Sequence, residues 1–325
     1  MTKAHARKTI NLDKVSAWKN DVARSVDFYN KWFLKFAPQA YKDTRAATAE
    51  RVSLALDQTE YLTNIKSEVL KKNPGVLSIL RMATRPPLAR DRLIGLSSVP
   101  TSLVASMEQK AVLPTRMPVV QLNAHLKNIS QILQKLIDVD IFTWLEEKKK
   151  PNKEEKDRAS IIIADRLCGM LADPIVRNAQ EQRQLRVIGA YLKKKGYKQV
   201  KNGEAKTIDS LEPGTFSFRL NVPVKLGAKD HKVNIPVDVV IRPKDEKRKP
   251  VLIEAKSAGD FTNTNKRRKE EAMKYAQIKS TYGNDMPFLL FLCGYFDSGY
   301  LGYEAAEGID WIWEHRMGDF NLLDL

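Results

Sequence analysis

Cysteine and histidine are scarce in this chain of 325 residues, which contains two cysteines and four histidines. Cys168 and Cys293 both lie in apolar runs and are too few to build a disulfide framework, so the sequence predicts buried thiols in a reducing compartment. The scattered histidines and the lack of a Cys-x-x-Cys pair argue against a zinc site. No nucleophile motif accompanies the histidines, so acyl-transfer chemistry is not indicated.

Long apolar runs are missing as well. No window reaches about 18 consecutive apolar residues, the length that a membrane-spanning helix needs. The basic segment Met1–Ile10 has no apolar core of the kind found in secretion signals. Neither membrane spanning nor secretion is therefore expected.

Acidic residues are outnumbered by basic ones. The chain holds 55 Lys and Arg against 39 Asp and Glu, a formal net charge of +16, so an acidic polymer is a plausible partner. Residues 285–325 depart from this balance, because Arg316 is their one basic residue. The basic surface is expected to end before this tail.

Apolar periodicity divides the chain into two parts. In residues 1–150 apolar side chains recur every three or four positions, which predicts a helical region. We expect this region to engage DNA or to form a dimer. The mostly charged segment Glu146–Arg158 is expected to be a solvated linker or a frayed helix end. Residues 151–325 combine helical patterns with β-branched and apolar runs, which predicts an α/β domain with a mixed sheet flanked by helices.

Residues that could bind a metal or take part in catalysis lie near the ends of two neighbouring predicted strands. Asp238 lies on one, and Glu254, Ala255 and Lys256 lie on the next, the glutamate sixteen positions after the aspartate. Because side chains alternate along a strand, Glu254 and Lys256 share a face, while Ala255 turns to the core and leaves its carbonyl available. Such oxygen ligands suit Mg²⁺. The alternative is a surface aspartate beside an ordinary Glu-Lys pair.

The same residues carry a resemblance to known nucleases. The sequence Ile-Pro-Val-Asp ending at Asp238, followed by Glu254 and Lys256, resembles the PD-(D/E)xK nuclease signature with one residue inserted after the proline. Longer stretches resemble the XamI-type restriction endonucleases, namely Val233–Lys279, Leu292–His315 and Arg85–Gly95. Residues 1–80 match no motif.

The resemblance implies a restriction-endonuclease-like core and a type II enzyme of the prokaryotic cytoplasm. Such an enzyme cuts both strands of DNA at a short palindromic site, for which the family suggests GTCGAC, and leaves 5′-phosphate and 3′-hydroxyl ends. A homodimer is expected, because a palindrome requires two symmetric readers, and a cognate DNA methyltransferase is the expected functional partner. Asp238 and Glu254 would hold Mg²⁺ with the carbonyl of Ala255, and Lys256 would orient the attacking water or stabilise charge on the phosphate.

Further site candidates come from neighbouring segments. Glu181, in the predicted helix before the sheet, is a candidate catalytic carboxylate, with solvent exposure as the alternative. Three arginines beside a Pro-Pro pair could bind guanines or phosphates, or they could form caps and salt bridges. Two asparagines could hydrogen-bond adenine or cap a helix. A run of basic residues could contact the DNA backbone or form a solvated helix face. These candidates are Arg85, Arg90, Arg92, Asn263, Asn265, Lys266, Arg267, Arg268 and Lys269.

Two other functions remain open on the residues alone. A structure-specific or repair nuclease would use the same metal cluster without a fixed recognition sequence. A DNA-binding regulator would use the basic charge and the helical first part, with the carboxylates in structural roles. Metal-dependent turnover separates the regulator from both nucleases.

Overall fold

The computed structural model describes residues 9–201, 207–225, 232–262, 264–323 and 325, and the side chains of residues 265–267 are outside this description. The chain separates into two compact units. One unit is Ala37–Val176, and the other contains the residues through Phe36 together with Arg177–Leu325.

Seven helices precede the sheet in the described part of the chain. In order they are α1 (Val15–Gln58), α2 (Ser67–Lys72), α3 (Leu77–Met82), α4 (Arg90–Ser97), α5 (Thr101–Lys110), α6 (Val119–Leu136) and α7 (Lys153–Lys194). Short 3-10 turns lie at Pro74–Val76 and Thr143–Leu145. Helices α1 and α7 each contain an internal proline, Pro38 and Pro174, and each contributes residues to both units.

The helical unit has its own apolar core. Leu80, Leu103, Leu126 and Leu167, from four different helices, are completely buried in one cluster. This cluster explains the amphipathic periodicity of the sequence, since each helix turns its apolar stripe inward. The prediction of a helical region in the first part of the chain is confirmed.

The second unit is built on a mixed sheet of six strands. The strands are β1 (Lys198–Val200), β2 (Thr215–Lys225), β3 (Lys232–Arg242), β4 (Val251–Ala258), β5 (Phe288–Gly294) and β6 (Asp310–Trp313), hydrogen-bonded in that spatial order. Strands β2, β3 and β4 are antiparallel, whereas β1 is parallel to β2 and the β4-β5-β6 set is parallel. Helices α8 (Thr264–Tyr282) and α9 (Ser298–Ala306) provide the crossovers that parallel strands require.

The sheet is covered on both faces. On one face the core includes Leu252 and Leu290 of the sheet with Tyr275 and Ile278 of α8. On the other, Ile253 and Phe291 pack in a cluster that includes Leu185, Ile188 and Leu192 of α7. The mixed sheet with flanking helices is the architecture that the sequence predicted, and that prediction is confirmed.

The N-terminal segment is tied to the last strand of the sheet. The carboxylate of Asp310 accepts hydrogen bonds from the backbone N–H groups of Ile10, Asn11 and Leu12 at 2.5, 2.9 and 3.0 Å. The side-chain amide of Asn11 donates to the carbonyl of Trp311 at 2.9 Å. These bonds place the residues before α1 in the sheet unit.

This arrangement groups residues differently from a division at residue 150. The predicted division put residues 1–150 in one domain and 151–325 in another, whereas the structure joins residues through Phe36 to the sheet unit and residues up to Val176 to the helical unit. The physical reason is that α1 and α7 are long helices that continue past any boundary marked by composition. The charged segment Glu146–Arg158 overlaps the first turns of α7. As a functional division, residue 150 stays a prediction.

No helix within the described ranges is long and apolar enough to cross a bilayer.

Candidate active site

The predicted catalytic residues lie where strands β3 and β4 stop pairing through their main chains. The paired positions run from Ile241 and Val251 to Val239 and Ile253. Beyond the last pair, Asp238 lies one residue further along β3 and Ala255 lies two residues further along β4. The backbone N–H of Ala255 donates to Oδ2 of Asp238 at 2.9 Å. A carboxylate thus accepts the hydrogen bond at this point and is held against β4.

A local irregularity accompanies Asp238. Val237 and Val240 pack on the same face of the sheet, although strict alternation would put them on opposite faces. On the neighbouring strand β2, Arg219 has a positive φ of 52°, and the pairs on either side of it are Phe218 with Val239 and Leu220 with Val237. The backbone is therefore distorted beside the candidate site.

Glu254 is a buried carboxylate held by two cations. Its side chain is 4% exposed. The ammonium of Lys256 lies 3.2 Å from Oε2, and the ammonium of Lys274 lies 2.5 Å from Oε1. Lys274 also donates to the carbonyl of Pro236. The negative charge of Glu254 is compensated in place, as a buried charge requires.

Lys256 shares the sheet face of Glu254, as strand alternation predicts. Its ammonium also lies 4.0 Å from Oε1 of Glu271, a buried residue of α8. Burial alone would lower the pKa of Lys256, but the charges of Glu254 and Glu271 outweigh that effect and raise it. Lys256 is therefore a cation at neutral pH.

The pKa of Asp238 is also raised, which for a carboxyl group favours the neutral form. Burial raises the pKa of Asp238 to about 6, and the negative charge of Glu254 adds to that shift. The positive charges of Lys256 and Lys274 offset only part of it. Two carboxylates thus lie near each other in a site that disfavours charging both.

Ala255 and Gln184 support the strand from the opposite face. The side chain of Ala255 packs against the cluster beneath α7, so it turns away from the two acids. The amide of Gln184, on α7, donates to the carbonyls of Lys256 and Phe291, each at 3.2 Å. This buried amide ties α7 to β4 and β5.

Glu181 is held by an ion pair beside the cluster. Its Oε1 accepts from Nε and Nη2 of Arg219 at 2.9 and 2.5 Å. Arg219 lies on the strand next to Asp238, but no described hydrogen bond or ion pair joins Glu181 to Asp238, Glu254 or Lys256. A catalytic role for Glu181 stays a prediction.

The three candidate DNA-binding arginines lie in the helical unit. Arg85 forms an exposed ion pair with Asp140. Arg90 donates to Glu108 at 2.8 Å, and Glu108 is also bound by the buried Arg81. Arg92 is exposed. Two of these side chains thus take part in the salt bridges that the sequence left open as an alternative.

The other DNA-binding candidates cluster at the start of α8. Asn263 lies outside the described residues, and for Asn265, Lys266 and Arg267 the structure describes the helical backbone alone. The guanidinium of Arg268 lies 3.4 Å from the ring centroid of Tyr303, and Lys269 is exposed.

Sequence reasoning missed a second layer of charged groups around Lys256. Glu271 and Lys274 lie on α8, on the side from which Tyr275 and Ile278 enter the core. Charged residues within an apolar helical stripe are the signal that could have identified them. Glu304 on α9, with all its side-chain oxygens buried, had no comparable signal.

The geometry offers few ligands for a metal but the appropriate kind. The part of the chain that the structure describes contains no group of three His, Cys, Asp or Glu side chains placed to hold a metal ion. Asp238, Glu254 and the carbonyl of Ala255 provide oxygen donors, and Mg²⁺ commonly takes one or two carboxylates and keeps several waters. The donor set therefore fits Mg²⁺ better than a metal that needs a complete protein cage.

Comparisons with known proteins identify the family of this chain. The family model of the XamI restriction endonuclease matches residues 60–313, a range that contains every candidate site residue. The type II restriction enzyme SalI of Streptomyces albus G is 51% identical over 312 residues, which cover 95% of this chain and 98% of that enzyme. A solved structure, protein VC1899 from Vibrio cholerae, matches with a TM-score of 0.26 and 12% identity over 88% of this chain and 55% of that one.

Proposed function

Since this chain belongs to the XamI restriction endonuclease family and is a type II site-specific endonuclease, we propose that the cluster between β3 and β4 performs its DNA hydrolysis. The observation that carries the proposal is the meeting of Asp238, Glu254 and Lys256 at one end of this strand pair. Family membership also argues against the regulator and the structure-specific nuclease that the residues alone left open.

Mg²⁺ is the cofactor that we propose for this site. Asp238 and Glu254 would hold it together with the carbonyl of Ala255. Burial, followed by the charge of Glu254, raises the pKa of Asp238, and a divalent cation would relieve the repulsion between the two carboxylates, so the electrostatics of the site fit the ion. When bound, Mg²⁺ supplies Lewis-acid stabilisation of the phosphate and a lowered pKa for a bound water.

Lys256 has the position and charge of a phosphate-binding cation. Its side chain is 28% exposed, whereas its partner Glu254 is almost completely buried, so the ammonium is the more accessible member of the pair. We assign it to orienting the attacking water or stabilising charge that develops on the scissile phosphate. Water attacks phosphorus and the bond from phosphorus to the 3′-oxygen breaks, which leaves 5′-phosphate and 3′-hydroxyl ends.

Recognition is proposed to use a homodimer on double-stranded DNA. A palindromic site, for which we propose GTCGAC, presents two identical halves that a symmetric pair of protomers can read. The net charge of +16 supports binding to the DNA backbone. We further propose that a cognate methyltransferase protects host DNA and that the enzyme acts in the prokaryotic cytoplasm, where its two free, buried cysteines stay reduced.

The roles of the individual DNA contacts remain proposals. Lys269 is exposed near the start of α8 and suits a phosphate contact. Arg85 and Arg90 would need to exchange Asp140 and Glu108 for DNA phosphates, whereas the exposed Arg92 has no ion pair among the described contacts. Loss of affinity and a reduced salt slope in Arg92→Ala would support its contact with the backbone.

The cofactor and the chemistry of the ends can be tested together. Purified protein should cut duplex DNA in millimolar Mg²⁺ and leave it intact in EDTA. The fragments should religate directly, and a 5′-end kinase should label them only after phosphatase treatment. Cleavage that persists in EDTA, or ends that ligase rejects, would contradict the proposed chemistry.

Titration of Asp238 gives a pH-dependent prediction. With its pKa raised from 3.8 to about 6, the protonated form is favoured by folding, so the contribution of this carboxyl to folding stability falls as pH rises from about 4 to about 6. At subsaturating Mg²⁺, cleavage should fall roughly tenfold per pH unit below about pH 6, because the ionised form of Asp238 is the ligand. NMR of the Asp238 carboxyl carbon should give a midpoint near 6. Mg²⁺ should lower this midpoint. A midpoint near the ordinary aspartate value of 3.8 in metal-free protein would contradict the assignment.

Lys274 provides a prediction about metal competition. Its ammonium occupies Oε1 of Glu254 at 2.5 Å, and its side chain is 19% exposed. In EDTA, Lys274→Met should lower the free energy of unfolding by about 2 kcal/mol, because Glu254 loses one of its two cations. Mg²⁺ should raise the melting temperature of this variant more than that of the wild type. Lys269→Met, on the exposed side of the same helix, is the control, and equal Mg²⁺ shifts in all three proteins would refute the competition.

A further inference from the structure

Lys256 lies between two carboxylates that come from different elements. Glu254, two residues away on the same strand, lies 3.2 Å from its ammonium. Glu271, on the helix that covers this face of the sheet, lies 4.0 Å away. If Glu254 is occupied as a metal ligand, Glu271 is the remaining acid beside the lysine.

Glu271 is itself held firmly. Its side chain is 2% exposed. The hydroxyl of Tyr300, on α9, donates to Oε2 at 2.5 Å. The other oxygen, Oε1, faces Lys256 and has no hydrogen-bond partner within the described residues. One oxygen is thus fixed by α9, and the other is directed at the lysine.

A second buried acid completes the arrangement. Glu304, also on α9, is fully buried beside Glu271. Burial, followed by the charge of Glu271, raises the pKa of Glu304 to about 9. Arg268 and Tyr300, which also act on Glu304, offset only part of this shift. Glu304 is thus the member of this pair that carries a proton at neutral pH. Burial raises the pKa of Glu271 as well, and the charge of Lys256 and the hydroxyl of Tyr300 offset part of that shift.

We propose that Glu271 is a positioning residue that holds the ammonium of Lys256 at the scissile phosphate, with Tyr300 and Glu304 fixing the carboxylate in turn. This inference rests on the role of Lys256 in the proposed function. Glu271 touches neither DNA nor metal in this account, and its effect passes through the lysine. A carboxylate in this place orients the ammonium through their charge attraction.

The experiment compares two substitutions that separate charge from shape. Glu271→Gln keeps the size of the side chain and an acceptor for Tyr300 but removes the charge. Glu271→Asp keeps the charge and loses a methylene. If Glu271 positions Lys256 electrostatically, the single-turnover cleavage rate should fall by about 30- to 100-fold in the glutamine variant and by less than about 10-fold in the aspartate variant.

The readouts distinguish positioning from folding. Rates are measured at saturating enzyme on a duplex that carries a site mapped with the wild-type enzyme. Affinity for the same duplex, measured with Mg²⁺ replaced by EDTA, should stay within about twofold of wild type, because Glu271 makes no proposed DNA contact. Glu307→Gln is the matched control. It removes an exposed charge just after α9, the helix that carries Tyr300 and Glu304, and the wild-type rate is expected.

A further variant keeps the proposal testable if Glu271→Gln does not fold. Tyr300→Phe removes the hydroxyl that fixes Oε2 and should lower the rate by about 3- to 10-fold with unchanged affinity. The proposal is overturned if Glu271→Gln cleaves within about threefold of wild type, if Glu271→Asp is the slower of the two, or if Tyr300→Phe has the wild-type rate. Failure of the proposed function is recognised separately, by a Glu254→Ala variant that still cleaves.

Discussion

Replacing Glu254 with alanine is expected to lower the rate of DNA cleavage by about a thousandfold or more while affinity for DNA stays within a few-fold of wild type. The variant loses a proposed metal ligand and the carboxylate that binds Lys256 at 3.2 Å and Lys274 at 2.5 Å. Asp238→Ala should have a similar effect, because Asp238 provides the other carboxylate. Binding should persist, since we propose that basic side chains elsewhere make the main phosphate contacts.

The control for this prediction is another glutamate of the same unit. Glu246 lies in the exposed loop between β3 and β4, and Glu246→Ala should keep the wild-type rate. Urea unfolding of all variants identifies any loss of activity that results from a destabilised fold. Mg²⁺-dependent cleavage by Glu254→Ala within tenfold of the wild-type rate would remove Glu254 from the catalytic cluster.

Replacing Gly294 with alanine is expected to destabilise the sheet unit by about 4 kcal/mol. Gly294 ends β5 with a φ of +99°, a conformation that residues with a side chain rarely adopt. A Cβ at this position would overlap the backbone carbonyl of Ala258, the paired residue that ends β4. The substitution therefore forces apart the two strand ends beside the candidate site.

A second glycine separates the two causes of this effect. Gly308 also has a positive φ, +76°, but a Cβ there would meet no atom within 4 Å. Gly308→Ala should cost only about 1 kcal/mol, the usual penalty for that backbone conformation. Urea denaturation of both variants gives the difference directly. Equal losses would mean that the close approach of β4 and β5 contributes nothing.

The strands and their acids were predictable from the sequence because their signals are local. Alternation along β4 determines that Glu254 and Lys256 share a face while Ala255 turns away, and the structure has this arrangement. The apolar run of β5 gave its position in the same way, since a strand buried on both faces is continuously hydrophobic.

The full lengths of the two long helices, α1 and α7, could not be predicted from local sequence signals. A proline usually ends or kinks a helix, yet α7 continues through Pro174 as one helix of 42 residues. Proline removes one backbone hydrogen bond, and tertiary packing along a long helix can compensate for that loss. The same holds for α1, which continues through Pro38.

Charged residues in the apolar stripe of α8 could be recognised from the sequence, but their contact with Lys256 could not be predicted, because it depends on how α8 and α9 pack against the sheet. Glu271 and Lys274 are separated from Glu254 by up to 20 residues in sequence, and no pattern states which helix face meets the strand. For Glu181 the local structure was predicted and the side-chain contact was not. The expected helix formed, but its carboxylate binds Arg219 in the structure.

We propose that Asp238, Glu254 and Lys256 form the catalytic site of a sequence-specific endonuclease. To test this, wild-type protein and Glu254→Ala are incubated with unmethylated phage DNA in Mg²⁺, and every fragment end is sequenced. We expect a discrete set of wild-type fragments whose ends share one palindrome, GTCGAC, and intact DNA with the variant. Random ends, or the same fragments from Glu254→Ala, would contradict this proposal.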